Sequence, residues 1–168
     1  MKIRDRVKEL RRVPARDLLP NPKNWRTHPA AQQDALRGVL AEIGYADALI
    51  ARETPDGLVL IDGHLRAETT PDAEVPVLVL DVSEEEADKL LLTLDPLAAL
   101  AETDRDALKA LLTAVETDSE AVRNLFVRLA EQGGITPPDF ESASLEEQGR
   151  LDEKKKVTCP ECGHEFAP

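Results

Sequence analysis

The chain has 168 residues, a formal net charge of −12 and only 3% aromatic side chains. That length suits one domain with appendages, and its core must be built from Leu, Val, Ile and Ala. No apolar run reaches the roughly 18 residues of a membrane span, and Met1 to Arg12 is too charged for a signal peptide, so the cytoplasm is the default location. The charge is uneven: nine Lys/Arg against three Asp/Glu in residues 1–26 give +6, which leaves −18 on the remainder. An acidic body repels nucleic acid, so the basic N-terminal arm is where DNA would bind. The other reading of that arm is a solvated helix or tail.

Ile3, Val7 and Leu10 stand at helical spacing among Lys and Arg, which predicts a short basic helix over residues 1–12. Val13 to Leu19 reads as a strand, and Pro20, Pro22 and Pro29 make the following stretch a loop. A helix is expected from Ala30 to Ile43, with Gly44 as its stop. Ala48–Arg52 and Leu58–Ile61 read as strands around the turn Thr54-Pro55-Asp56-Gly57. A short helix follows and is cut off at Thr69-Thr70-Pro71-Asp72, before a buried strand over Val75–Val82. Ser83 and Glu86 form a capping box for a helix to about Leu94, ended by Asp95-Pro96.

Two more helices are expected, Arg105–Val115 and Glu120–Gln132, capped by Asp104 and by Asp118 or Ser119. Their apolar stripes, Ala107, Leu108, Leu111, Leu112, Val115 and Val122, Leu125, Phe126, Leu129, read as core. Gly133-Gly134 closes the folded part, and the Pro-, Ser- and Glu-rich stretch after it reads as a flexible linker. The expected organisation is a basic arm (1–12), a small mixed-sheet α/β (α+β) domain (13–97), a helical extension (98–134), a linker (135–156) and a tail (157–168).

The segment Leu60-Ile61-Asp62-Gly63-His64-Leu65-Arg66 runs from a strand through a glycine into a helical turn. The first turn of a helix offers unpaired N–H groups and partial positive charge, a setting for phosphate. Gly63 lets the backbone come close, and Arg66 can fork onto two oxygens. The alternative is an ordinary turn in which Asp62 is a cap and Arg66 is solvated.

Upstream stands Leu18-Leu19-Pro20-Asn21-Pro22-Lys23-Asn24-Trp25-Arg26. This run and Asp62-Gly63-His64-Leu65-Arg66 together resemble the ParB N-terminal-domain/sulfiredoxin-like superfamily, over roughly residues 12–97, and most of all short ParB-like "nuclease" proteins of phages and mobile elements. The resemblance implies that both runs surround a nucleotide's phosphates. Gly63 and the N–H groups of His64 and Leu65 would cradle phosphate, and Arg66 would neutralise it. Asn24 and Arg26 would close the other side, and Asp62 would hold Mg2+ or position a hydroxyl. Asp62 and His64 are the candidate catalytic groups, His64 alternatively making a structural hydrogen bond to a neighbouring loop. Asp95 is a further acidic candidate, as are His28 for the site and Trp25 for stacking on a base.

The pattern departs from its relatives. Partition proteins read Gly-Glu-Arg-Arg where this chain has Gly63-His64-Leu65-Arg66. Sulfiredoxins carry a catalytic cysteine at the position of His64, and no Cys precedes Cys159, which excludes that chemistry. Free-serine kinases carry Asp-Gly-His-His-Arg, matched here except at Leu65.

The tail holds Cys159-Pro160-Glu161-Cys162-Gly163-His164, a zinc-knuckle pattern. With no second Cys pair, either two chains share one Zn2+, or His164 and water complete a site, or the knuckle is a remnant. The function expected is nucleotide binding through phosphates, as an NTPase or phosphotransferase. The alternatives are a DNA-binding regulator or metal-dependent nuclease, and a non-catalytic adaptor; a homodimer fits any of them.

Overall fold

The computed structural model describes residues 3–135, 157–158 and 165–166. The chain divides into two compact units, Met1–Ile135 and Thr136–Pro168. In the second, the short strands Val157–Thr158 and Glu165–Phe166 pair antiparallel, and Cys159, Cys162 and His164 lie outside the described residues.

The first unit is built on four strands, β1 (Val7–Pro14), β2 (Leu49–Thr54), β3 (Gly57–Asp62) and β4 (Glu74–Leu80), in the order β1-β4-β2-β3. β2 and β3 form an antiparallel hairpin, β4 runs parallel to β2, and β1 closes the other side antiparallel to β4. Five helices complete it: α1 (Ala30–Glu42), α2 (His64–Thr69), α3 (Glu84–Ala99), α4 (Arg105–Ala114) and α5 (Glu120–Gln132). The expected mixed-sheet α/β domain with a helical extension is therefore the observed architecture.

The sheet is held by β-branched and aliphatic side chains on one face: Leu49, Val75, Val77 and Val79 are fully buried. Ala15, Leu18 and Ala67 cover them, from the 3-10 turn after β1 and from α2. Truncating Leu49 to Ala would cost about 2–5 kcal/mol. Because β3 and β4 flank β2 on opposite sides, the chain must cross the sheet between them. α2 is that crossing, which fixes the turn at Gly63 over the end of the hairpin.

The helix expected over residues 1–12 is instead strand from Val7 onward. Its apolar members do not form a buried face: Ile3 is 80% and Leu10 60% exposed. Glu9, Arg11 and Val13 are half-buried at a period of two opposite Val79, Val77 and Val75, with Pro14 half-buried at the strand's end. β4 is buried and would otherwise leave a row of unpaired N–H and C=O groups, and pairing with β1 satisfies them. Lys and Arg along β1 then keep the outer edge from recruiting other chains.

The Ser83/Glu86 capping box is present on α3, but Asp95-Pro96 does not end that helix. Pro96 sits inside its last turns, where it removes one donor without stopping the chain before Ala99. Asp104 and Ser119 cap α4 and α5 as expected. α5 packs on α1 at Gly38, where a Cβ would stand 2.3 Å from the Ser119 Oγ. Glu42 at the end of α1 accepts hydrogen bonds from the Thr117 hydroxyl and the Asp118 and Ser119 amides. These bonds hold its carboxyl below the usual range, the Thr117 hydroxyl most of all. The α4 stripe is not core: Ala107, Leu111 and Val115 are exposed and Leu108 and Leu112 half-buried, and in the α5 stripe Val122 is buried while Leu129 is exposed.

Candidate functional site

Two backbone stitches bring the Pro-rich loop to the hairpin. The Leu19 amide donates to the Leu58 carbonyl and the Leu60 amide to the Leu19 carbonyl, so Leu19 acts as a one-residue strand on the free edge of β3. Beyond it, Asn21 and Asn24 each fold the loop locally. Their side-chain oxygens accept from the amides of Lys23 and Arg26, a turn chemistry that explains Asn at both positions.

The second run is shaped by Gly63, whose φ of +93° is left-handed. A Cβ there would also lie 2.6 Å from the Leu49 Cγ. Two independent constraints, backbone hand and space, therefore require glycine. Among the described residues no side chain caps α2. Asp62, the expected cap in the ordinary-turn reading, instead pairs with Arg66 at 2.9 Å.

Asn24, Arg26, Asp62, Gly63, His64, Leu65 and Arg66 all line one cavity of about 390 Å³, together with His28 and Asp95. Leu90, Leu91 and Leu94 of α3 and Leu36 of α1 add an apolar wall to it. Local sequence gave no signal for that apolar wall, because it depends on how α3 returns across the sheet.

His64 is buried, 6% exposed, and its Nε2 accepts the Asn21 amide hydrogen at 3.2 Å. Burial pushes its pKa down, against weaker upward pulls from Glu68 and Asp62. The ring is thus neutral, with its proton on Nδ1, and it joins the two sequence runs. A lone pair engaged in this way is not free to take a proton from a substrate.

Each arginine meets its own carboxylate. The Arg26 Nε lies 2.9 Å from an Asp95 oxygen with its N–H not directed at it, so the contact is an ion pair without a hydrogen bond. The Arg26 guanidinium stacks 4.7 Å from the Trp25 ring centre, a cation–π contact on one face of that ring. Arg66 donates to Asp62 at 2.9 Å and to Asp47 at 2.7 Å. Hydrogen bonding to Arg66 holds the Asp47 carboxyl below its usual value. His28 contacts the Gln32 side chain through Nδ1, while its buried Nε2 has no partner. Among the described residues no three His, Cys, Asp or Glu side chains gather as a metal-ligand set.

No family model and no curated protein matches the chain. Among solved structures, the C-terminally truncated chromosome-partitioning protein ParB from Caulobacter crescentus, complexed with CTP-γ-S, matches at 16% identity and TM-score 0.51. The match spans 76% of this chain and 72% of that one. The same protein complexed to the centromeric parS site gives 16% and 0.42, over 75% of this chain and 65% of that one. A Pnob8-like ParB-N domain gives 16% and 0.44, over 95% and 56%. The chain has a distant ParB N-terminal-domain-like fold: a four-stranded mixed sheet with a helical extension.

Proposed function

We propose that this protein binds a nucleotide through its phosphates and acts as a nucleotide-responsive regulator in a DNA-associated setting. The observation that carries the reading is the convergence of both sequence runs, with two arginines, on one cavity beside the Gly63 turn. The similarly folded partitioning protein was solved with a CTP analogue, so CTP is the first ligand to try. Asp62 and Asp95 line the same cavity and suit Mg2+, which keeps most of its waters and needs only one or two carboxylates. The metal would screen phosphate charge there. His64 is assigned positioning and no proton transfer, so we favour binding over phosphotransfer.

The test is a thermal-shift panel of CTP, ATP and GTP with and without Mg2+, on the wild type and Arg66→Ala. A ligand at about 100 times its dissociation constant adds roughly 2.7 kcal/mol. A shift that Arg66→Ala removes supports the site, and no shift with any nucleotide in a folded protein rejects it. The finer readings are separate proposals. A ParB-like nuclease of a phage or mobile element requires Mg2+- or Mn2+-dependent DNA cleavage lost in Asp62→Asn. A zinc knuckle at Cys159, Cys162 and His164 requires metal retained by the wild type and lost in Cys162→Ser.

A further inference from the structure

The six residues between α1 and β2, Ile43 to Ala48, strap the motif helix. Gly44, at φ +86°, ends α1 and turns the chain outward. The Tyr45 hydroxyl then reaches the Arg66 carbonyl at 3.4 Å and the Thr70 hydroxyl. Asp47 follows with both carboxylate oxygens engaged. Oδ1 accepts the Ala48 amide hydrogen at 2.7 Å, which aims Oδ2 at the Arg66 Nη1, also at 2.7 Å. The Asp47 side chain is 78% exposed and is absent from the cavity wall, whereas Arg66 is 17% exposed and part of it.

Counting the pairs, two arginines, Arg26 and Arg66, meet three carboxylates, Asp47, Asp62 and Asp95. The site is formally −1 before any ligand arrives. Asp62 and Asp95 face the cavity, where a cation arriving with the ligand can neutralise them. Asp47 does not, so its charge persists.

We propose that Asp47 is a specificity-determining positioning residue, acting through Arg66 to make the site favour metal-complexed over metal-free phosphate ligands. The inference rests on the nucleotide-binding reading above. Its physics is Coulombic: a fixed negative charge opposes a ligand in proportion to the ligand's own charge. A metal-free nucleoside triphosphate carries roughly twice the charge of its magnesium complex, so it loses more to Asp47.

Calorimetric titration of CTP into the full chain, with magnesium chloride or with EDTA, tests this in the wild type, Asp47→Asn and Asp47→Glu. The ratio of the two affinities is the readout, and a change in fold stability alone would not move it. Asp47→Asn should lower the ratio up to about fivefold by tightening metal-free CTP, the limit set by a surface ion pair. Asp47→Glu should keep the wild-type ratio. Wild-type binding with an unchanged ratio in Asp47→Asn overturns the role of Asp47 and leaves the site standing. A ratio lowered only through weaker binding of the magnesium complex also overturns it. Absence of CTP binding by the wild type in either condition overturns the site reading and this inference with it.

Discussion

Gly63 and His64 do different work at adjacent positions. Gly63→Ala would combine left-handed strain with a clash against Leu49, so it should destabilise the unit by about 2–5 kcal/mol in denaturant unfolding. His64 is neutral when folded and prefers its proton when unfolded. Its contribution is therefore complete above the unfolded pKa, about 6.5, and is lost as pH falls from there toward the lower folded value. Unfolding measured between pH 7.5 and 5.5 (roughly one unit either side of the unperturbed value) should show this slope. His64→Gln, which keeps an acceptor without titrating, should flatten it. That these residues gather beside one cavity with Arg66 was legible from the glycine, the cation and their order. Asp47 was not legible, because nothing in its local sequence says that it meets a residue nineteen positions ahead.

The elements show where periodicity informs and where it misleads. α3, α4 and α5 carry local caps, and local chemistry located their starts. The N-terminal segment carries a helical spacing that tertiary demand overrides, since only a strand can satisfy the open edge of β4. The loop from Pro20 to His28 owes its place to α3 as well as to the sheet. Lys23 pairs with Glu84 and Asp88, and Arg26 with Asp95. These three acids lie on one face of α3, at spacings of four and seven residues. Ser83→Ala should destabilise the start of α3 by about 1 kcal/mol, visible as earlier amide exchange in its first turn. Exchange unchanged there would show that Arg6 on Glu86, not the cap, holds that end.

At the scale of the whole molecule, the charge asymmetry is real, but four cations of the arm, Arg4, Arg6, Lys8 and Arg11, are already engaged. Arg4 and Arg6 meet Glu86, and Lys8 and Arg11 meet Glu53. The composition alone suggested a free basic arm; the fold turns much of it into internal compensation for the acidic body. Wild-type affinity for duplex DNA, read by fluorescence anisotropy, should therefore be weak and strongly salt-sensitive. Replacing Glu53 and Glu86 by Gln should strengthen it several-fold by releasing those side chains, and unchanged anisotropy would exclude the arm as a DNA contact. Among the described residues no helix is long and apolar enough to cross a membrane.

Between Leu19 and Lys23 two of the three residues are prolines, so the Asn21 amide is the one exchangeable backbone hydrogen in that stretch. Its acceptor is the imidazole of His64. Protonating that ring removes the lone pair and releases the amide in the same event. The Asn21 resonance in an amide spectrum is thus a built-in indicator whose shift with pH traces the titration of a buried histidine and the loosening of the loop beside the cavity.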